Sequence, residues 1–152
     1  MGRRYIKNEN FFKVWSNDMA YILGFISADG YISKINELDI SVDERDGELL
    51  DEIRISMGIE NPIGVYTYRN STMHKLRIHS EIICRDLEIL NVTNKKTYTI
   101  VAPPFIPEDM VRHYIRGLFD GDGCIYLRDR SNSKQLNAEV FIDTASEIYA
   151  EQ

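Results

Sequence analysis

The sequence predicts an α+β fold made from a duplicated helix–strand–strand unit, on three grounds. Two apolar, helix-like runs, ILGFISADG from Ile22 to Gly30 and IRGLFDGDG from Ile115 to Gly123, end in the same Asp–Gly pair, 93 residues apart. After each run, apolar and polar residues alternate as they do in strands. Farther on, LDISVDERDGELLDE aligns with AEVFIDTASEIYAEQ at an offset of 100, so the second copy carries a longer hairpin loop. A repeat of that length is a supersecondary unit, far larger than a solenoid repeat.

The elements follow in order. Ser16 is the N-cap of a helix from about Asn17 to Asp29, which Gly30 closes in the left-handed conformation. Phe11, Phe12 and Trp15 pack against it. YISK and LDISV are strands joined by a turn at Ile35 to Glu37. DERDGELLDEIRISMGI is an amphipathic helix, capped by Asp46 and ending near Gly58. GVYTYRN and MHKLRIHS form a second strand pair turning at Asn70–Ser71–Thr72. SEIICRDLEILNV is a helix with Ile82, Ile83, Leu87 and Leu90 on one face. In NKKTYTIVAPPFIP the prolines Pro103, Pro104 and Pro107 forbid a continuous helix. Pro107 suits the first position of the next helix, which runs to Asp122.

The second round brings strands CIYLR and NAEVFID joined by RDRSNSKQ, with Cys124 as a small buried residue at the start of the first. SEIYAEQ then opens a helix, with Ser146 where the first copy has Asp46. The division is a complete αββαββα unit with its connector over 1–103 and a partial second unit over 104–152. Gln152 aligns with Glu52, which reads as a fragment of a longer chain, the alternatives being a degenerate reading frame and a chain that completes itself by association.

Composition bounds the function. Of 152 residues, 43% are hydrophobic and 28% charged, ordinary values for a soluble globular protein. No apolar run approaches the roughly 20 residues needed to cross a bilayer, and no apolar stretch follows the basic N-terminus, so no membrane partner or secretory signal is expected. Cys84 and Cys124 lack a CxxC, which argues against a disulfide framework and for a reducing, intracellular (cytoplasmic) setting. A net charge of −6 gives no overall attraction to nucleic acid. The charge is uneven, however. Asn61 to Ser80 contains no acid but carries Arg69, Lys75, Arg77, His74 and His79.

The repeated helices carry the chemistry. Gly24 and Ala28 lie four apart, as do Gly117 and Gly121, and positions four apart share a helix face. Small residues there permit close backbone approach, and mid-helix glycine, costing about 1 kcal/mol against alanine, needs such a reason. If the small faces meet, Asp29 and Asp122 become neighbours at two helix C-termini, opposed by both dipoles. A divalent cation resolves that conflict, and hard oxygen ligands suit Mg2+ shared with a phosphate. Such an ion can drive water against a phosphodiester.

The two runs resemble the motif of LAGLIDADG homing endonucleases, and the order of strands, helices and connector agrees over nearly the whole chain. The resemblance implies two motif helices at a pseudo-twofold interface and a β-sheet saddle over double-stranded DNA. It implies that Asp29 and Asp122 bind Mg2+ and that Lys96, or its neighbour Lys95, is the connector lysine near the scissile phosphates. Asp120, where the first copy has Ser27, is read as structural or secondary. On the strands, Lys75, Arg77 and His79 face outward opposite Leu76 and Ile78. Together with Tyr66, Tyr68, Arg69 and Lys95 they are the expected DNA-binding set. The implied activity is that of a magnesium-dependent, site-specific nuclease of a mobile element such as an intron, acting as a monomer when the second half is complete. The alternative is a non-catalytic binder on the same scaffold, an intron maturase or a transcription regulator. No splicing-domain pattern precedes the first motif, so an intein is not expected.

Overall fold

The computed structural model describes residues 5, 7–129 and 136–152. Helix α1 (Asn17–Asp29) starts where Ser16 accepts a hydrogen bond from the Met19 N–H. Nearly every residue from Met19 to Ser27 is buried, so α1 is the central helix and not a surface one. Strands β1 (Gly30–Ile32), β2 (Glu37–Asp43), β3 (Ile63–Tyr68) and β4 (Ser71–His79) form an antiparallel sheet in the order β1-β2-β4-β3. The inward residues Ile32, Leu38, Ile40, Val42, Leu76 and Ile78 join one apolar core with α1. Helix α2 (Gly47–Ser56) adds Leu50 and Ile53, and α3 (Glu81–Ile89) adds Ile83, Cys84 and Leu87. Each such buried aliphatic chain contributes about 1.5–3 kcal/mol relative to exposure.

The chain then crosses through the proline connector to α4 (Val111–Asp122), strands β5 (Gly123–Asp129) and β6 (Leu136–Ile142), and the short α5 (Glu147–Glu151). β5 and β6 pair antiparallel as a separate two-stranded sheet. The expected hairpin loop between them lies mostly outside the described residues. Among the described residues, no helix is long and apolar enough to cross a membrane.

Several local expectations are corrected. Gly30 is extended (φ −75°, ψ 146°), not left-handed. Its lack of a side chain matters for space, since a Cβ would lie 2.5 Å from Ile26 Cγ2 and 2.7 Å from Ile26 O. Gly123 repeats this against Phe119 O at 2.3 Å. Asp46 makes no cap; Asp43 instead accepts from the Arg45 N–H and caps a 3-10 turn over Glu44–Asp46. The β3–β4 hairpin turns on Arg69 and Asn70, with Arg69 at φ 52°, because Tyr68 already pairs with Ser71. Cys84, not Ile82, joins the α3 face in the core. Pro107 precedes a 3-10 turn over Glu108–Met110 and is not itself in α4. Cys124 is exposed, because the two-stranded sheet leaves it and its cross-strand partner Phe141 on an uncovered face.

Helices α1 and α4 touch backbone to backbone. A Cβ on Gly24 would lie 2.0 Å from the Tyr114 carbonyl oxygen, and one on Gly117 would lie 1.9 Å from that of Tyr21. On Gly121 it would lie 2.4 Å from Ala28 Cβ. Carbonyl oxygens inside helices cannot swing away as side-chain ends can. Gly117→Ala is therefore expected to destabilise the fold at the upper end of overpacking costs, about 3 kcal/mol. That corresponds to a fall of roughly 6–12 °C in Tm for a chain of this size. An unchanged thermal unfolding curve would mean that the helices do not meet at these glycines.

Candidate active site and outer sheet face

The close approach at Gly24 and Gly117 carries both helix ends to one place. Asp29 closes α1 and Asp122 closes α4. The Asp29 carboxylate reaches the last turn of α4, with Oδ2 3.5 Å from where a Gly121 Cβ would stand. Lys96 arrives from the connector and donates from Nζ to the Ala28 carbonyl at 2.9 Å. It thereby satisfies a terminal acceptor of α1 and sets a cation against its negative end. Lys95, at φ 59°, makes the left-handed step just before it. Lys95 and Lys96 both line a cleft of about 380 Å³ with Gly30, Tyr31, Thr93 and Tyr98.

The electrostatics follow from this crowding. Part of the Asp29 residue surface is open to solvent. Even so, desolvation raises its carboxyl to about 6, with Asp122 adding to the rise and Lys96 opposing it. Burial also raises Asp122, against Lys96, with Asp143 pushing the same way as burial. Burial lowers Lys96, while the two aspartates hold its proton on. Two carboxylates that resist ionisation beside one lysine make a site suited to a further cation. Among the described residues no cluster of three or more metal-ligating side chains exists. Two carboxylates are hard oxygen donors, and such a donor set fits an ion that keeps water and phosphate among its ligands, as Mg2+ does.

Two clefts flank this point and repeat one another. One, of about 290 Å³, is lined by Phe25, Asp29, Val42, Asp43 and Leu49 among others. The other, of about 240 Å³, is lined by Leu118, Asp122, Ile142, Asp143 and Tyr149. These are the same repeat positions. Asp43 and Asp143 were absent from the expected site, although the offset alignment matches them.

The position of Asp120 and Ser27 also acquires a role. Tyr21 donates from its hydroxyl to Asp120 at 2.8 Å. Its repeat mate Tyr114 donates to Ser27 at 3.3 Å and bonds Tyr149 as well. Each tyrosine thus ties one motif helix to the other. Arg116 stacks 4.7 Å over the Tyr21 ring and stands 3.8 Å from Asp120. Burial and Asp120 push Tyr21 up to about 12, so it stays a donor.

The expected DNA-binding residues divide into two groups. Lys75, Arg77 and Tyr66 cluster on the outer face of the four-stranded sheet around Asp39, a residue the sequence reading missed. Asp39 Oδ2 is 3.2 Å from Lys75 Nζ and 3.7 Å from Arg77 Nε. The basic face is therefore part-neutralised, and Glu37 stands opposite the exposed His79. Tyr68 and Arg69 sit apart at the hairpin tip, the guanidinium 5.3 Å over the ring. A larger cleft of about 630 Å³, walled by Glu44, Glu48, Asp51, Glu52 and His74, holds none of the expected site residues.

The profile described as LAGLIDADG-like domain matches residues 16–91. The DNA-directed RNA polymerase subunit Rpo1C of Methanocaldococcus jannaschii is 31% identical over 130 residues, which is 78% of this chain and 14% of that protein. Among solved structures, the LAGLIDADG meganuclease I-CpaMI bound to uncleaved DNA aligns with a TM-score of 0.48 at 13% identity, over 84% of this chain and 66% of that one. The I-LtrWI LAGLIDADG homing endonuclease bound to target DNA aligns at 0.47 and 14%, over 88% and 66%. The chain thus spans just under two thirds of these two structures and a small part of the curated relative.

Asp29 gives the site a pH signature. Its folded-state carboxyl, near 6, lies above the ordinary unfolded value of about 3.9. The stability it contributes is present below pH about 4 and lost as pH rises through about 6. In chelator-treated protein, Asp29→Asn is therefore expected to raise Tm at pH 7 and to change it much less at pH 4. Parallel Tm–pH curves for the two proteins would show that Asp29 is not strained by its neighbours.

Proposed function

The chain belongs to the family of LAGLIDADG-like domains, and from that premise we propose that it is a divalent-metal-dependent endonuclease, of homing type, acting on double-stranded DNA. The observation that carries this reading is the convergence of Asp29, Asp122 and Lys96 at the joined ends of α1 and α4. A protein with a purely structural helix seam has no need of two carboxylates with raised affinity for protons at that point.

Asp29 and Asp122 would hold Mg2+ or a similar hard cation. When bound, such an ion activates water and stabilises the leaving oxygen of a phosphodiester. The protein's own groups do the rest. The glycine contacts fix the spacing of the two carboxylates without relying on flexible side chains. Lys96 spends one proton of its ammonium on the Ala28 carbonyl, which orients Nζ and leaves two donors for a phosphate oxygen. Its pKa, lowered by burial, eases the passing of a proton to or from the reacting oxygens. The Tyr21–Asp120 bond keeps the helices from sliding during the reaction. The outer sheet face and the hairpin tip supply the duplex contacts, in the manner of β-surface readers. The chain would serve as a site-specific nuclease of a mobile element such as an intron. A maturase-like or regulatory binder would leave the carboxylate pair without a task.

The discriminating experiment is cleavage of supercoiled and linear duplex DNA with and without Mg2+. The wild-type chain is expected to nick or cut only with the metal. Asp29→Asn and Asp122→Asn should each abolish cutting while leaving metal-free DNA binding intact. Lys96→Met should reduce it by roughly 10²-fold or more, as loss of a positioned donor or proton carrier does. Metal-dependent cutting that survives Asp122→Asn would sink the assignment, and binding without any cutting would favour the non-catalytic binder.

A further inference from the structure

One basic group on the outer sheet face is set between a carboxylate and an aromatic ring. Arg77 stands directly opposite Asp39 across the β2–β4 ladder. Its Nε faces Asp39 Oδ2 at 3.7 Å, and its guanidinium lies 5.5 Å from the centroid of the Tyr66 ring. Tyr66 is itself seated, because its ring lies over Gly64, where a Cβ would come within 2.8 Å of it. Lys75 holds the same Asp39 oxygen from the other side at 3.2 Å. The Asp39 side chain is only 15% exposed, whereas that of Arg77 is 51% exposed. The carboxylate is thus the base of the assembly and the guanidinium its outward tip.

We propose that Arg77 is a specificity-determining residue that reads a guanine in the major groove, with Asp39 and Tyr66 as its positioning residues. The proposal rests on the duplex-DNA reading above. With Nε the nitrogen nearest Asp39 and the guanidinium over the Tyr66 ring, the two Nη groups are left as the free edge. Among the described residues, neither donates to another protein group. That edge matches the adjacent N7 and O6 acceptors of guanine, which arginine takes in a bidentate pair. A phosphate contact needs charge but no fixed plane, and Asp39 cancels much of the charge here. Arg69 is the contrast. It stacks on Tyr68 at the hairpin tip, and no described carboxylate lies within ion-pair distance of it, as suits phosphate.

The test is selection of duplexes from a randomised pool by the full 152-residue chain, followed by salt-titrated binding to the selected site and its single-base variants. Wild type should require guanine at one position by about tenfold or more over other bases. Arg77→Lys keeps the charge and should erase that preference alone, with the salt slope unchanged. Asp39→Asn should weaken the same preference while raising affinity for unrelated duplexes. Arg69→Ala should keep the preference, lower all affinities, and reduce the log–log salt slope by nearly one. A guanine requirement that persists in both Arg77→Lys and Asp39→Asn overturns this inference alone. Failure of wild type to bind any duplex at low salt overturns the nuclease reading and this inference with it.

Discussion

Everything in this molecule hangs on two backbones touching at Gly24 and Gly117. Each glycine sits against a carbonyl oxygen of the opposite helix, so the separation of α1 and α4 is set by main-chain atoms. Main chain in a helix is the stiffest material a protein offers, because each carbonyl is held in the i to i−4 ladder. A carboxylate pair at the two C-termini inherits that stiffness. The same contact joins a well-covered unit to one that buries little by itself. Ile32 and Ile40 of the first sheet are 3% and 0% exposed, whereas their counterparts Ile125 and Val140 on the two-stranded sheet are 59% and 63% exposed. The second sheet is thus held in place through α4 and not by a core of its own.

The duplication is close in geometry and unequal in chemistry. Asp29 and Asp122, the flanking Asp43 and Asp143, and the tyrosines Tyr21 and Tyr114 all recur at matched positions. Yet Tyr21 meets a charged acceptor, Asp120, beside Arg116, while Tyr114 meets the buried hydroxyl of Ser27. A carboxylate at position 27 would lie at a buried site and carry the cost of desolvation. The difference between Ser27 and Asp120 therefore follows burial: each helix uses the acceptor its surroundings can solvate. Lys96 of the connector breaks the symmetry further, since it bonds the Ala28 carbonyl of one helix while facing both aspartates.

The sequence made the helices, the strand pairs and the repeat legible because those signals are local or periodic. Glycines four apart pointed to a helix seam, and Ser16 marked where α1 begins. What stayed hidden depends on long-range pairing. Alternation put Lys75 and Arg77 on the outer face, but only the β2–β4 register sets Asp39 opposite Arg77. That Lys96 and not Lys95 bonds the end of α1 goes with one left-handed residue, Lys95, which a lysine pair in a polar loop does not announce. The sequence suggests a left-handed cap at Gly30, yet Gly30 and its repeat mate Gly123 are both extended and owe their identity to crowding by the preceding turn. Cys124 was misjudged because strand patterning cannot say whether a second layer covers the strand. Asp43 and Asp143 were visible in the repeat, and their pairing with the helix ends was the available clue.

The remaining puzzle is how a chain of net charge −6 could engage a polyanion. Its cations are not arrayed as a bare positive stripe. Lys96 faces Asp29 and Asp122, and Lys75 and Arg77 share Asp39. Such pairs give little field at a distance, because opposite charges a few ångströms apart cancel beyond a Debye length of about 8–10 Å. Long-range steering toward DNA is correspondingly weak. At contact the balance changes. On the nuclease reading, Asp29 and Asp122 would hold the metal ion, whose charge would offset the two aspartates and leave the Lys96 ammonium for phosphate. A base edge would meet the outward side of Arg77 without displacing Asp39. Charge that is cancelled in the isolated chain would thus become useful only with the correct ion and duplex both seated. On this reading, the acidic balance favours discrimination at contact over speed of encounter.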